Sequence, residues 1–349
     1  MKFREVRLKQ FCSLAVFLSL MPLATAALAA PDSNALVLTA SNADANQLLV
    51  FNSQGNLIQT IPTQGKGGAG GNSGGIEAKG KLAAVVNFGS KTVSLFQRDG
   101  NAFHLKQVIP TASSPLSVAF GADHLFILGT TTVESHRMFG SSISSSADGV
   151  VALLKADGSS AQVGVLPGQL IITEKSNVIE TANLLSDGAV SGVATSVMNI
   201  PSNVNTPFGL ITRGSDAYVT IAHADEISLV RNADVLTTTS SGTQHSPCWL
   251  TLVGPFLYSS NSPSMTISRF AVYGQKIVQD SAIAAQMNGA PTDIASADSL
   301  LAVIDSNSQT SHLSIFSVDE DGNLTLRSAV ALASANGVAV VSDDESEQP

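Results

Sequence analysis

Charge is scarce in this chain. Only 13% of its 349 residues are Asp, Glu, Lys or Arg, whereas a typical soluble protein has about 25%. Aromatic residues are also few, at 5%, yet hydrophobic residues make up 44%. The chain is therefore not disordered by composition. Ser, Thr, Asn, Gly and Ala take the place of charge, which is typical of a β protein with many turns and argues against long solvated helices.

Cysteine is nearly absent, and only Cys12 and Cys248 are present. Cys12 lies in a segment that has the pattern of a secretory signal peptide, with four basic residues before an apolar run at 11–21. We predict that residues 1–29 are removed and that the mature protein is exported to the periplasm or the extracellular space. Cys248 is then the sole cysteine of the mature chain, which excludes an intramolecular disulfide.

Positive charge is lacking most of all. Loss of residues 1–29 removes four basic residues and one acidic residue, so the formal net charge changes from −9 to −12. Nucleic acid and anionic lipid both attract basic surfaces. No later apolar run approaches the ~20 residues of a membrane-spanning helix. We therefore expect a monomer that binds neither nucleic acid nor membrane.

A pattern of short strands repeats along the chain. In its clearest copies, an apolar strand ends in a small polar residue and a second strand follows after a turn. Phe51 and Phe96, which end two of these second strands, are 45 residues apart, and Phe270 and Phe316 are 46 apart. Four short strands in such a period form the blade of a propeller. The 3.6-residue apolar stripes of helical repeats are missing.

Seven such units fit between residues 30 and 341, so we predict an all-β fold, a seven-bladed β-propeller with four-stranded blades. The first unit lacks an inner strand, and residues 336–341 have the sequence of one. The C-terminal strand should therefore complete the first blade and leave no open sheet edge. Residues 342–349 are predicted to be a disordered acidic tail.

Equivalent positions in the blades form rings around the axis of a propeller. The residue that ends the second strand of each blade should lie beside the central channel at one face. We predict that this ring contains Asn42, Asn87, Gly129, Glu174, His223, Asn261 and Asp305. These residues could contact a ligand, or they could only cap strand ends and hold water.

Blade three has an insertion at residues 131–148, which we predict to be a long loop without strands. Loops of this length are either functional or disordered. As a lid over the channel, the loop would bring His136 and Arg137 to a ligand, and Arg137 would supply a cation. As a mobile loop, it would have no such part.

Motifs for metals and cofactors are not convincing, so we expect neither. The six histidines do not show the spacing of metal ligands. His312 and His245 flank turns, and surface or packing roles are expected for both. Residues 65–70 match the dinucleotide-binding fingerprint letter for letter, but they open no helix and belong to no βαβ unit.

Five segments carry a resemblance to a known family: the Gly-rich segment 65–75, Ile172–Asn177, Thr206–Gly209, Pro247–Trp249 and Tyr258–Ser268. With them, the chain from about residue 35 to residue 341 resembles the seven-bladed β-propeller lactonase family. This is the group around 6-phosphogluconolactonase and the fungal muconate cycloisomerase, and the chain is most similar to its exported bacterial members.

The resemblance also implies where a catalytic site would be. Catalytic relatives have an Arg-His pair just before one inner strand and a Glu at the end of the following strand. The Glu corresponds to Glu174, but Ala161 and Gln162 stand in place of the pair. One carboxylate can act as a general base. A phosphorylated sugar lactone would also need a cationic partner.

Two functions from different classes follow. The first is a non-catalytic exported propeller that binds a small lactone or sugar-like ligand, or a protein partner. The second is a lactone hydrolase in which Glu174 activates water and Arg137 or Lys175 stabilises the oxyanion. An enzyme needs Glu174 close to a cation at the channel mouth. In a binding protein, Glu174 should instead be paired structurally or face bulk water.

Overall fold

The computed structural model describes residues 35–70, 74–200, 205–308 and 310–342. The predicted signal peptide and residues 343–349 of the predicted tail lie outside the described residues. In the described ranges, the chain consists of strands and two short 3₁₀ turns, at Phe88–Ser90 and Ala222–Ala224. None of the helical segments in those ranges is long and apolar enough to cross a membrane.

The strands form seven antiparallel sheets, and the strands of each are named from the inner to the outer one. Blade 1 has β29 (Asn336–Val341), β1 (Leu36–Ala40), β2 (Gln47–Asn52) and β3 (Leu57–Pro62), and blade 2 has β4 (Ile76–Lys79), β5 (Leu82–Asn87), β6 (Thr92–Asp99) and β7 (Ala102–Pro110). Blade 3 has β8 (Pro115–Gly121), β9 (His124–Gly129), β10 (Thr132–Phe139), β11 (Ser142–Ile143) and β12 (Gly149–Ala152). Blade 4 has β13 (Ser160–Leu166), β14 (Gln169–Glu174), β15 (Val178–Leu184) and β16 (Val190–Ser196), and blade 5 has β17 (Pro207–Arg213), β18 (Asp216–Ile221), β19 (Glu226–Arg231) and β20 (Asp234–Ser240). Blade 6 has β21 (Pro247–Val253), β22 (Phe256–Asn261), β23 (Thr266–Tyr273) and β24 (Lys276–Gln286), and blade 7 has β25 (Ala290–Ala297), β26 (Leu300–Ser306), β27 (Ser311–Val318) and β28 (Leu324–Leu332).

The inner strands form a closed ring. Each inner strand contacts the inner strand of the next blade, and β25 of blade 7 contacts β29, which in turn contacts β4 of blade 2. Strand β29 pairs with β1 in antiparallel register, with Leu38 opposite Ala339. The predicted seven-bladed propeller, closed by the C-terminal strand, is confirmed.

The hydrophobic core is divided among the contacts between blades. The buried apolar residues of the described chain form seven clusters. Six of them join two neighbouring blades, and the seventh joins blades 6 and 7 and extends to Phe208 of blade 5 and Ala161 of blade 4. In blade 2, for example, Val85 packs toward blade 1 and Val86 packs toward blade 3. This alternation follows from the two-residue period of a strand, which sends neighbouring side chains to opposite faces of a sheet. Every blade is therefore apolar on both faces.

Side chains link the inner strands of neighbouring blades near the channel. The Thr220 hydroxyl of blade 5 donates to the Cys248 carbonyl of blade 6 at 2.8 Å. The Asp293 carboxylate of blade 7 accepts a hydrogen bond from the Val338 N–H of blade 1 at 3.0 Å. Gly209 allows blades 5 and 6 to approach closely, because a Cβ atom there would lie 2.1 Å from the Cys248 carbonyl oxygen. These links hold the ring at its narrowest point.

The predicted loop at residues 131–148 is wrong. Residues 132–139 form β10, the third strand of blade 3, and Val133 pairs with Leu128 of β9. The fourth strand is split into β11 and β12, both of which pair with β10. The sequence of β10 is too polar to be recognised as a strand. Its buried polar side chains bond to groups of other segments instead of packing in an apolar core.

Removal of the closing strand should destabilise the whole ring. We expect deletion of residues 336–349 to abolish the cooperative thermal transition of a chain that starts at residue 30, because it exposes apolar faces of blades 1 and 7 and leaves β1 as an open edge. Deletion of residues 343–349 alone removes none of the described strands and is the matched control. Differential scanning calorimetry of both variants is the measurement, and equal melting temperatures would contradict a closing role for β29.

Candidate functional site

The second strands of the blades end at one face of the propeller, which we call the strand-end face. Asn87 and Asn261 lie there and are fully buried. The Asn87 amide donates to the Ser94 hydroxyl at 2.8 Å, and the Asn261 amide donates to the Ser268 hydroxyl at the same distance. Both side chains therefore cap strand ends, which is the role predicted for this ring as the alternative to contact with a ligand.

Glu174 ends β14 at the strand-end face, but it is not open to solvent. Its exposed fraction is 0%, as is that of Glu180. The two carboxyl groups lie on the same face of blade 4, because Glu174 pairs with Val178 in the register and Glu180 is two residues further along β15. Backbone N–H groups of the segment after blade 3 cover them, with Leu154 donating to Glu180 at 2.9 Å and Lys155 donating to Glu174 at 3.3 Å.

The two buried carboxyl groups affect each other's ionisation. Burial raises the pKa of Glu180 to about 8, the negative charge of Glu174 adds to this rise, and burial also raises the pKa of Glu174. Glu180 Oε1 is buried and has no hydrogen-bond partner within the described residues. Glu174 accepts hydrogen bonds from the Lys155 N–H and, at 3.4 Å, from the Ser159 hydroxyl. The charged group that influences Glu174 from the neighbouring strand is thus a carboxyl group rather than a cation.

Arg137 and His136 lie at the other end of blade 3. Arg137 pairs with His124 at the start of β9, so it is about one strand length, roughly 16 Å for five residues, from the strand-end face. Its guanidinium contacts Asp187 at 2.6 Å and Asp148 at 3.5 Å. His136 is buried in the same region, with Nδ1 at 2.9 Å from the Ser144 carbonyl. The expectation that Arg137 supplies a cation beside Glu174 is therefore wrong.

Lys175 supplies a cation at the strand-end face. Its Nζ lies 5.7 Å from the centre of the Phe208 ring, and that ring meets the Trp249 ring edge to face at 5.1 Å. Lys175 is half-buried, and desolvation lowers the pKa of its ammonium group. An anion in contact with this group would offset the cost of its burial.

His223 lies beside this group of residues. It is exposed in the 3₁₀ turn after β18, and its Nδ1 lies 2.9 Å from the Thr206 hydroxyl. The Thr206 N–H in turn donates to the Asn177 side chain at 2.9 Å. Thr206 has a φ of 60°, which is an unfavourable conformation for a β-branched residue. Strained positions of this kind cluster at functional sites.

Asp305 is the last predicted ring residue. It is fully buried, and its Oδ1 lies 2.9 Å from Nδ1 of His312. Burial raises the pKa of this carboxyl group, and the contact with His312 opposes that rise. Within the described ranges, no group of three or more His, Cys, Asp or Glu residues could hold a metal ion.

Glu180 was not predicted from the sequence, and His312 was expected to be a surface or packing residue. Glu180 interrupts an otherwise apolar stretch, and its same-face relation to Glu174 follows once β14 and β15 are joined as a hairpin. The spacing of Glu174 and Glu180 along this hairpin was the sequence signal that could have identified the pair. The Asp305–His312 pair could not be found from hairpin spacing. Asn87 and Asn261 each belong to the last residue pair before the turn of their own hairpin, whereas Asp305 and His312 form the pair before the last one.

The raised pKa of Glu180 makes stability depend on pH. Folded Glu180 keeps its proton up to a pKa of about 8, whereas an unfolded Glu releases it near 4.5. The folded state then binds more protons than the unfolded state in this range, so the free energy of unfolding should fall as pH rises through it. Glu180→Gln should remove most of this fall in the free energy of unfolding, because an amide has no proton to release in this range. We expect the variant to gain several degrees in Tm over the parent between about pH 5 and about pH 8.

Thermal melts of the parent and of Glu180→Gln across this pH range are the measurement. Glu320→Gln, at an exposed position, controls for the loss of one negative charge. A pH-independent difference between the parent and Glu180→Gln would contradict the raised pKa of Glu180.

Comparisons with known proteins agree with the fold. A scan against family models and a search of curated proteins both find no match. Among solved structures, a proposed 6-phosphogluconolactonase of Bacteroides fragilis matches with a TM-score of 0.66 at 17% identity, covering 90% of this chain and 99% of that one. The periplasmic gluconolactonase PpgL of Pseudomonas aeruginosa has a TM-score of 0.65 at 16% identity, over 89% and 99% of the two chains. Apo AztD of Citrobacter koseri has a TM-score of 0.59 at 11% identity, over 88% and 98%. At these identities the likeness extends to the fold and not to the reaction, so the chain has the propeller fold of the structures described as gluconolactonases.

Proposed function

We propose that this chain is an exported propeller that binds a small sugar acid or lactone at the strand-end face, without catalysis by Glu174. The proposal depends mainly on one observation, the enclosure of Glu174. Its carboxyl group is fully buried and accepts hydrogen bonds from the Lys155 N–H and the Ser159 hydroxyl. A general base must reach the proton that it removes, directly or through one water, and this carboxyl group is held by protein groups instead. Ala161 and Gln162, in place of the family's Arg-His pair, support the same interpretation.

The binding surface that we propose lies where blades 4 and 5 meet. Lys175 would pair with a carboxylate of the ligand, Phe208 would pack against its carbon skeleton, and His223 would hydrogen-bond its hydroxyl groups. Lys175 and His223 are both carried by turns at the strand-end face, so they can adjust to a ligand without moving a blade. The periplasmic location named for PpgL and the N-terminal sequence support export.

Isothermal titration calorimetry of residues 30–349 with D-gluconate tests this function. We expect Lys175→Gln to weaken the affinity about tenfold or more, because it removes a charge-assisted hydrogen bond from a partly desolvated site. Lys106→Gln is the matched control, since Lys106 lies on the outer strand of blade 2 and bonds the Gln97 and Ser141 side chains.

The pattern of binding decides between the alternatives. Binding of D-gluconate, but not of D-glucose, would support a site for a sugar acid. Equal affinities for the parent and for Lys175→Gln would place the ligand elsewhere. A chain that binds neither gluconate nor D-glucono-1,5-lactone would contradict the proposed function and favour a protein partner.

Lactone hydrolysis is the second candidate, and the paired carboxyl groups are the observation that favours it. Two carboxyl groups with separated pKa values can serve as acid and base near neutral pH. The candidate requires the covering segment to move and expose Glu174. Proton release from neutral and phosphorylated lactones is the test, and release that is lost in Glu174→Gln would replace the binding function with this one.

A further inference from the structure

The same polar pair ends the second strand of blades 2 and 6 at the strand-end face, and blade 7 has a different pair at these positions. In blade 2, the Asn87 amide donates to the Thr92 hydroxyl opposite it at 3.2 Å. In blade 6, the Asn261 amide donates to the Thr266 hydroxyl opposite it at 3.1 Å. An Asn–Thr pair is thus sufficient to cap these strands. The corresponding positions in blade 7 are Asp305 and His312, which also lie opposite each other.

The acid and the imidazole of blade 7 continue to a hydroxyl group. His312 Nδ1 lies 2.9 Å from Asp305 Oδ1, and its Nε2 lies 3.3 Å from the Thr310 hydroxyl. Asp305 is fully buried, whereas His312 is 17% exposed and Thr310 is half-buried. The buried carboxylate fixes the imidazole with its proton on Nδ1, which leaves Nε2 able to accept the Thr310 proton. Asn307 Oδ1, at 3.4 Å, is the other acceptor for this hydroxyl, so the hydroxyl must turn from it toward Nε2 to react. A hydroxyl group, an imidazole and a buried carboxylate in this order form the arrangement of a nucleophilic relay.

We propose that Thr310, His312 and Asp305 form a second, hydrolytic site that takes small activated carboxylic esters. The site does not depend on the proposed ligand surface or on Glu174. The relay lies on the hairpin between β26 and β27 and faces the solvent, so a small ester can reach Thr310 without any blade moving.

The reaction has two stages, acylation of Thr310 and hydrolysis of the acyl-threonine ester. The Thr310 oxygen attacks the ester carbonyl carbon while its proton moves to His312 Nε2. The bond to the alcohol then breaks, and the alcohol leaves with that proton, which gives an acyl-threonine ester. Water attacks this ester and passes a proton to Nε2, the bond to Thr310 breaks, and the carboxylic acid is released as the Thr310 hydroxyl regains the proton. Asp305 holds the imidazole and stabilises its charged form, so it is a positioning residue.

Hydrolysis of p-nitrophenyl acetate by the mature chain tests the proposal. We expect Thr310→Val and His312→Gln each to lower the rate above buffer at least tenfold, in line with the usual contribution of a general base. Acid quenching during turnover should trap an acetyl group on Thr310, which peptide mass spectrometry can locate. This readout distinguishes a nucleophile from a residue that only supports the hairpin.

Two controls separate the relay from loss of folding and from nonspecific imidazole catalysis. The double variant Asp305→Asn with His312→Thr restores the Asn–Thr pair of blades 2 and 6, so it should keep the parental Tm and lose the activity. His245→Gln alters an exposed imidazole that pairs with Asp225 at 2.9 Å, and it should leave the rate unchanged.

Three results would overturn the proposal. They are hydrolysis that persists in Thr310→Val, an acetyl group found only on other residues, and equal losses in His245→Gln and His312→Gln. Failure of gluconate to bind would leave this site unaffected, so the two proposals fail separately.

Discussion

Coverage of both faces of every blade is the constraint on which the structure depends. Each sheet is apolar on both sides, so it is stable only when a neighbour lies on each side. Seven sheets in a ring meet this condition only if the ring closes. Closure comes from β29, which joins the C-terminal residues to blade 1, and from the bond between Asp293 and the Val338 N–H. Stability is therefore a property of the whole ring, because loss of one strand uncovers two interfaces.

The same constraint decides what the strand-end face can contain. The strands converge there, and the polar groups that end them are sealed between neighbouring blades. A buried polar group must be hydrogen-bonded or it destabilises the fold, and Asn87 and Asn261 satisfy this with neighbouring hydroxyl groups. Glu174 satisfies it with the Lys155 N–H and the Ser159 hydroxyl. A position that is polar in the sequence is therefore not by itself a position that contacts a ligand.

The fold could be predicted from the sequence because the period of the repeat and the missing first inner strand are both local patterns. Blade 3 could not be predicted in the same way. Strand β10 contains Glu134, His136 and Arg137, and these side chains are balanced by groups from other segments, such as Asp148 and Asp187. Such partners meet only after the sheets have packed, so the strand looks like a polar loop in the sequence. For the same reason, the sequence-based prediction brought Arg137 to the strand-end face, whereas it lies at the opposite end of blade 3.

A repeat protein carries its own internal comparison, and function is best sought where one blade departs from the others. The Asn–Thr pair of blades 2 and 6 shows that a neutral pair is sufficient at the strand-end face. Blade 7 instead has an acid and an imidazole opposite each other at these positions. This departure is not needed to cap a strand, because the neutral pair does so in the same geometry. Burial of a charged pair at such a position costs desolvation free energy. Where a neutral pair caps the strand equally well, this cost indicates that the position has a role other than capping.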